Sequence, residues 1–188
     1  DMVEAGTALC LPGNHEAKLV RWLDGRRVRP SHGLAASIEQ LEREPASFRA
    51  RVRAFFADRP SHYLLDGGRL VVAHAGLPEH LHGRSGERVR TFCLYGDPTG
   101  ARDANGLPER RDWASAYRGD AFVVYGHTPV REARWVNRTL CIDTGCVFGG
   151  RLTALRWPEQ ALVQVDAEHA WFEPPGRSSD EAEPEATR

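Results

Sequence analysis

Apolar residues along this chain fall in short runs cut off by Gly, Pro and Asp, and three of these runs lead into polar motifs. Ala8-Leu9-Cys10-Leu11 leads into Gly13-Asn14-His15-Glu16. Leu70-Val71-Val72 leads into Ala73-His74-Ala75-Gly76, and Phe122-Val123-Val124 into Tyr125-Gly126-His127-Thr128. Short continuous apolar runs bounded by turn residues read as buried strands. Residues 7–11 are therefore predicted as a short buried strand. Between the first two runs the period becomes helical. Glu16 to Leu23 is a predicted helix; Leu34 to Glu44 places Leu34, Ile38 and Leu41 on one side; Phe48 to Ala57 does the same with Val52, Phe55 and Phe56. Pro45 separates the last two, which together read as a cap inserted between core strands.

His62-Tyr63-Leu64-Leu65 and Arg69 to Ala73 flank Asp66-Gly67-Gly68, a strong hairpin signal. Residues 85–94 are predicted as a helix with Ser85 as N-cap. Residues 96–112 read as loop, and 113–117 as a helical turn. Strands are expected at 121–125, 132–136, 139–143, 151–157 and 161–166, with turns at Asn137-Arg138 and Pro158-Glu159. Past Phe172, Pro174-Pro175-Gly176 opens an acidic stretch with no apolar pattern. The expected organisation is one α/β domain over 1–172 and a disordered tail or linker over 173–188.

Composition narrows the picture. With 188 residues, one domain with a sizeable core is the natural count. The net charge of −1 gives no global basic field to draw nucleic acid. Lys18 is the only lysine beside many arginines, a bias that fits genome composition better than function. Of the four cysteines, Cys10, Cys93, Cys141 and Cys146, no two have Cys-x-x-Cys spacing. A reducing, cytoplasmic setting fits, and no secretory or membrane-spanning segment is visible. Asp1 to Gly6 reads as the last turn of a helix stopped by Gly6, so the chain looks cut at its start.

The candidate chemistry lies at the three run ends. A divalent cation accepts an amide oxygen and imidazole nitrogens as ligands, and strand ends can deliver Asn14, His74 and His127 to one sheet edge. Taken singly, Asn14 could be a helix N-cap and each histidine a hydrogen-bonded core residue. As a set they point to a metal site. His15, next to Asn14, would face elsewhere, towards a substrate. His32, His62, His80, His82 and His169 have no such context. Arg26, Arg27, Arg29, Arg88 and Arg90 could line an approach for a polyanion, although each alone reads as a solvated surface residue.

These blocks, Gly-Asn-His-Glu, His-Ala-Gly and Gly-His-Thr, resemble in order and spacing those of the calcineurin-like binuclear metallophosphoesterase superfamily. The resemblance implies a β-sandwich flanked by helices with metals at the strand ends. It also implies that Asn14, His74 and His127 bind one metal and that His15 is the acid that stabilises the transition state or protonates the leaving oxygen. Two divalent ions are implied, Mn²⁺ first, with Ni²⁺, Fe²⁺ or Zn²⁺ as alternatives. The family's Asp-x-His-Gly and Gly-Asp-x-x-Asp-Arg-Gly blocks do not occur in this chain. The expectation is an N-terminally truncated domain whose first strands are missing, leaving an unpaired sheet edge. The Gly-His-Thr-Pro block, with no second His, is closer to the protein-phosphatase and dinucleoside-polyphosphatase branch than to cyclic-nucleotide phosphodiesterases.

A narrower resemblance rests on longer strings: Cys93 to Gly100, Gly106-Leu107-Pro108, Val123 to Val130, and Cys141 to Leu155. These are similar to the phosphatase module of bacterial polynucleotide kinase-phosphatase. The resemblance implies a phosphorylated RNA end as substrate, bearing a 2′- or 3′-phosphate or a 2′,3′-cyclic phosphate. It also implies kinase and adenylyltransferase modules in the same parent chain, and no membrane partner. Dinucleoside tetraphosphatase or Ser/Thr protein phosphatase activity is the alternative, and an inactive interaction module a third reading.

Overall fold

The computed structural model describes residues 2–30, 33–102 and 108–172. The protein is α/β, and its central strands follow the apolar runs. The helices are α1 (Asn14–Leu23), α2 (Leu34–Glu42), α3 (Ala46–Ala57), α4 (Glu87–Tyr95) and α5 (Trp113–Ala116). The first strands are β1 (His62–Leu65), β2 (Leu70–Ala73), β3 (Pro98–Arg102), β4 (Pro108–Arg110) and β5 (Phe122–Tyr125). They are followed by β6 (Trp135–Val136), β7 (Thr139–Cys141), β8 (Asp143–Thr144), β9 (Arg151–Arg156) and β10 (Ala161–Asp166).

The main sheet has five strands in the order β1-β2-β5-β7-β6. The hairpin β1–β2 pairs His62 with Ala73, and Asp66, Gly67 and Gly68 turn it with φ of 51°, 63° and 91°. Next to it, β2 and β5 run parallel, Val71 beside Val123, and β5 and β7 also run parallel. Parallel central strands are covered on both faces, which explains their unbroken apolar runs. Val71 and Val123 are fully buried, each contributing about 1.5–3 kcal/mol. Parallel direction also decides where chemistry can sit. The C-terminal ends of β2 and β5 emerge at the same sheet edge, and Gly126 N–H donates to the His74 carbonyl there at 2.8 Å.

Two apolar clusters support that edge. One joins Val71, Ala73, Val123, Leu77, Val89, Cys93 and Tyr117, with Phe92 and Trp113 packed against it. The other lies among the first three helices: Leu19, Leu34 and Leu41, with Trp22, Ile38 and Val52. A second sheet, in the order β10-β9-β8, is antiparallel. Thr144 and Thr153 are buried in it with their hydroxyls 2.6 Å apart, while Leu152, Val163 and Val165 stay exposed.

Several expectations change. Residues 8–13 form no strand, and Leu9 is 61% exposed. Among the described residues no ladder partner takes up that segment's backbone groups; its Cys10 carbonyl accepts from the Tyr63 hydroxyl instead. Residues 2–6 form turns rather than a helix. Gly86, not Ser85, precedes α4, and no side chain caps it. Residues 96–112 contain the β3–β4 hairpin, which has no alternating pattern because nearly all of it is exposed. The expected tail over 173–188, and His32, lie outside the described residues. Among the described residues no helix is long and apolar enough to cross a membrane. All four cysteines are unbridged.

Candidate metal centre

Asn14, His74 and His127 meet, although Asn14 opens α1 and the two histidines follow the ends of β2 and β5. Asn14 is the first residue of α1, after Gly13 in an extended conformation. The Gly13 N–H donates to the Glu16 carboxylate at 2.7 Å, half of a capping box. Glu16 thus does the capping that the sequence could have given to Asn14, whose amide points out of the helix. A Cβ on Gly13 would lie 2.8 Å from both Glu16 Oε2 and His74 Cε1, so only glycine lets the helix start this close to the β2 edge. His127 has φ 74°, a left-handed conformation uncommon outside glycine. Such backbone persists where surrounding structure fixes it.

His74 Nε2 lies 3.0 Å from Asn14 Oδ1 and 3.0 Å from His127 Nδ1. Two ligands held about 2.1 Å from one ion at right angles are about 3 Å apart, so the spacing suits a cation. On its other side, His127 Nε2 lies 2.9 Å from Nη2 of Arg110. Proton counting gives the same answer. Arg110 can only donate, so His127 Nε2 must accept. A neutral imidazole has one N–H, so His127 Nδ1 carries it and donates to His74 Nε2. His74 Nε2 then presents a lone pair to Asn14 Oδ1, another acceptor. This edge of the network is unsatisfied without either a turned amide or a cation. The donor set fits a divalent metal.

Electrostatics agree. Burial, then the positive charges of His74, Arg110, His15 and Lys18, push His127 down to about 3. Burial also lowers His74, against the carboxylates of Glu16 and Asp143, which raise it. Both rings are therefore neutral near pH 7, the state a metal ligand requires. His15, at the second position of α1, is close enough for its charge to act on both rings.

Two residues at this edge were not singled out from sequence. Asp143, at the start of β8, packs its Cβ where a Cβ on Gly126 would be 3.1 Å away. Arg110, ending β4, donates through Nε to the Tyr95 carbonyl at 3.0 Å and through Nη1 to the Pro108 carbonyl at 3.2 Å. It projects into a hollow of about 240 Å³ that Trp113, Tyr125, Asp97, Arg111 and His127 also line. Among the described residues, Arg110 supplies the guanidinium at the ligand rings, whereas Arg26, Arg27, Arg29, Arg88 and Arg90 were read from sequence only as an approach for a polyanion or as solvated surface. The only signal for it was the pair Arg110-Arg111 beside Pro108. A larger hollow of about 400 Å³ is lined by Trp22, Leu23, Gly25, Glu42 and Arg49, with no histidine or asparagine in its lining. His62 and His82 are structural: one accepts from Gly83 N–H, and the other donates to the Leu77 carbonyl. Among the described residues no group of three or more His, Cys, Asp or Glu side chains gathers as a metal site, and this centre itself brings together two histidines and an asparagine.

No family model matches the chain. It is 48% identical over 168 residues to the bis(5′-nucleosyl)-tetraphosphatase PrpE [asymmetrical] of Anoxybacillus flavithermus, covering 87% of this chain and 69% of that protein. It is 49% identical to the PrpE of Geobacillus thermodenitrificans, with the same coverage. Among solved structures, that of a candidate diadenosine tetraphosphatase superposes with a TM-score of 0.62 at 25% identity, covering 88% of this chain and 71% of that one. These likenesses correct the narrower resemblance. Relatives of which 69% is already matched leave less than a third of their length for anything else. Kinase and adenylyltransferase modules in the parent chain, and with them a phosphorylated RNA end as partner, are therefore withdrawn. The chain belongs to the PrpE family of bis(5′-nucleosyl)-tetraphosphatases, within the calcineurin-like metallophosphoesterases.

Proposed function

We propose that this protein hydrolyses dinucleoside polyphosphates, with a dinucleoside tetraphosphate cut asymmetrically into a nucleoside triphosphate and a monophosphate. The observation that carries this reading is the convergence of Asn14 Oδ1, His74 Nε2 and His127 Nδ1, in a chain 48% identical to named tetraphosphatases. In this reading those three residues hold one divalent ion, with Mn²⁺ the first choice among N/O-binding metals and Ni²⁺, Fe²⁺ and Zn²⁺ the alternatives. When bound, such an ion lowers the pKa of a coordinated water and draws charge from phosphate oxygens; a second ion would complete the pair usual for such phosphatases.

The remaining work falls to the chain. Gly13 holds Asn14 against the His74 ring. The αL backbone at His127 and the buried β5 strand fix the other imidazole. His15, whose charge reaches both ligand rings, gives a proton to the leaving phosphate oxygen. Four unbridged thiols accord with a cytoplasmic site of action, where such nucleotides would be met.

The test is chromatographic. Protein incubated with Mn²⁺ and diadenosine tetraphosphate should give ATP and AMP in equal amounts. A 3′-phosphorylated RNA oligonucleotide and a phosphoserine peptide should be cut far more slowly. His15→Ala should lower kcat about 10²-fold or more while leaving metal binding intact. Preferential release of phosphate from the RNA end would overturn the reading.

A further inference from the structure

The hollow of about 240 Å³ that His127 lines has an aromatic wall. Trp113 and Tyr125 both line it, their ring centroids 5.0 Å apart at an interplanar angle of 59°. Val130 and Cys141 add apolar surface. Trp113 is held firmly. The rings of Phe92 and Tyr117 meet it at 6.0 and 6.1 Å in T-shaped contacts, and a Cβ on Gly76 would overlap its ring. The wall is therefore set before any ligand arrives.

The charges of the hollow cancel. Arg110 and Arg111 line it, and so do Asp97 and Asp112. Arg111 is already paired with Asp97 at 3.0 Å. That bond goes to Asp97 Oδ1, and Asp112 Oδ1 accepts the Ser115 N–H at 3.1 Å; neither Oδ2 accepts a hydrogen bond among the described residues. An aromatic wall beside two carboxylates suits a flat, neutral ring with amino hydrogens to donate, and opposes a phosphate.

Size decides how much of a substrate enters. Sites that enclose a whole small molecule measure about 300–1,000 Å³, so this hollow holds one part of a dinucleotide. Cutting a dinucleoside tetraphosphate into a triphosphate and a monophosphate breaks the bridge beside the first phosphate of one nucleoside. One sugar and one phosphate separate that nucleoside's base from the breaking bond. A hollow that shares the His127 ring with the ligand set lies within that reach.

We propose that this hollow binds the base of the nucleoside released as monophosphate, an amino-bearing base such as adenine. Trp113 is its stacking wall, and the second oxygens of Asp97 and Asp112 accept from its amino group. Seating that base fixes which phosphate linkage reaches the ligand set, and so makes the cut asymmetric. This role for the hollow deepens the proposed function and rests on its substrate class.

Calorimetry on the Mn²⁺-loaded protein separates base from phosphate. The probes are adenosine 5′-monophosphate, inosine 5′-monophosphate, which has an oxo group in place of the amino group, and ribose 5-phosphate, which has no base. The adenosine compound should bind about tenfold or more tighter than ribose 5-phosphate, the range of a base–aromatic stack. The inosine compound should bind several-fold more weakly than the adenosine compound. Val130→Trp fills the hollow and keeps the backbone N–H bond to the Asp143 carbonyl. It and Trp113→Leu should each reduce the adenosine compound to the affinity of ribose 5-phosphate, which itself stays unchanged. In both variants diadenosine tetraphosphate should also give ADP, because the register is lost. Trp113 packs against the main core, so thermal melts accompany both variants, and Val130→Trp decides if Trp113→Leu does not fold. Equal affinity of the wild type for the adenosine compound and ribose 5-phosphate overturns the proposal, as does an adenosine preference that survives Val130→Trp. Inosine bound as tightly as adenosine overturns the amino contact. If the adenosine preference appears but no dinucleoside polyphosphate is cleaved, the hydrolysis reading fails and the base site stands; cleavage without the preference does the reverse.

Discussion

The candidate centre draws on two regions that differ in how firmly they are built. His74 and His127 leave the ends of parallel strands whose neighbours, Val71, Val123 and Leu77, are wholly buried. Asn14 and His15 begin a helix whose own cluster is shallower: Leu19 and Leu41 each remain 9% exposed, and α3 buries no residue completely. The strand side fixes its rings through a continuous sheet. The helix side reaches them at its first turn, through Gly13 against the His74 ring and Asn14 Oδ1 at 3.0 Å from His74 Nε2. The difference teaches that ligand geometry has a rigid half and an adjustable half, and that the seam between them is two residues long, Gly13 and Asn14.

The largest effect should come from removing the rigid half. His74→Ala or His127→Ala should weaken metal binding at least about 100-fold and bring hydrolysis to background, while Asn14→Ala should cost less, because the two imidazoles remain. Metal titration of the three variants checks this. A larger loss from Asn14→Ala would reverse the assignment of the rigid side. Next comes the seam itself. Gly13→Ala places a methyl 2.8 Å from both the Glu16 carboxylate and the His74 ring. Metal affinity should fall about tenfold, and stability by about 1–3 kcal/mol. An unchanged metal affinity would show that α1 can shift without cost.

Both halves were legible in outline. Leu70-Val71-Val72 and Phe122-Val123-Val124 are unbroken apolar runs because both faces of their strands are covered, and each is followed closely by its histidine. The hairpin turn at Asp66-Gly67-Gly68 and the helices around Leu19, Leu34 and Leu41 were equally plain. Ala8 to Leu11 misled for the same reason: an apolar run announces burial, yet a strand also needs a partner for its backbone. Arg110 was hidden because β3 and β4 lie almost wholly in solvent, where no pattern is imposed, and because one arginine among so many has no distinguishing mark. The unsatisfied edge between His74 Nε2 and Asn14 Oδ1 depends on which ring nitrogen faces which neighbour, and spacing along a chain does not encode that.

A third, smaller effect is confined to the strand side. His127 titrates at about 3 when folded, against an ordinary value of 6.5. Above pH 6.5 the ring is neutral folded or unfolded, and pH has no effect through it. Below 6.5 the unfolded chain takes up a proton that the folded, metal-free protein refuses until about pH 3, so stability falls as pH falls through that window. His74, lowered in the same direction, adds to the slope. Each group contributes at most about 1.4 kcal/mol per pH unit. Melting temperatures of metal-free protein between pH 6.5 and 5 should therefore drop, and His127→Gln should flatten the curve. A curve that His127→Gln leaves unchanged would place the acid sensitivity elsewhere.

The smallest effect probes the adjustable side through Glu16, which does two jobs from one carboxylate. It accepts the Gly13 N–H at 2.7 Å, and its charge raises the proton affinity of His74. Glu16→Gln keeps an acceptor and removes the charge. Stability should fall by about 0.3–1 kcal/mol, since the carboxylate also faces the positive end of α1. Metal affinity should fall only a few-fold, because the charge acts on the cation from beside the ligand set rather than within it. Glu16→Ala removes the acceptor too, and should cost about 1 kcal/mol or more while releasing Gly13. If the two variants lose metal affinity equally, the charge is what matters and the helix start is held by other contacts. If only Glu16→Ala weakens the metal, the carboxylate serves the centre by holding Gly13, and thereby Asn14, against the sheet.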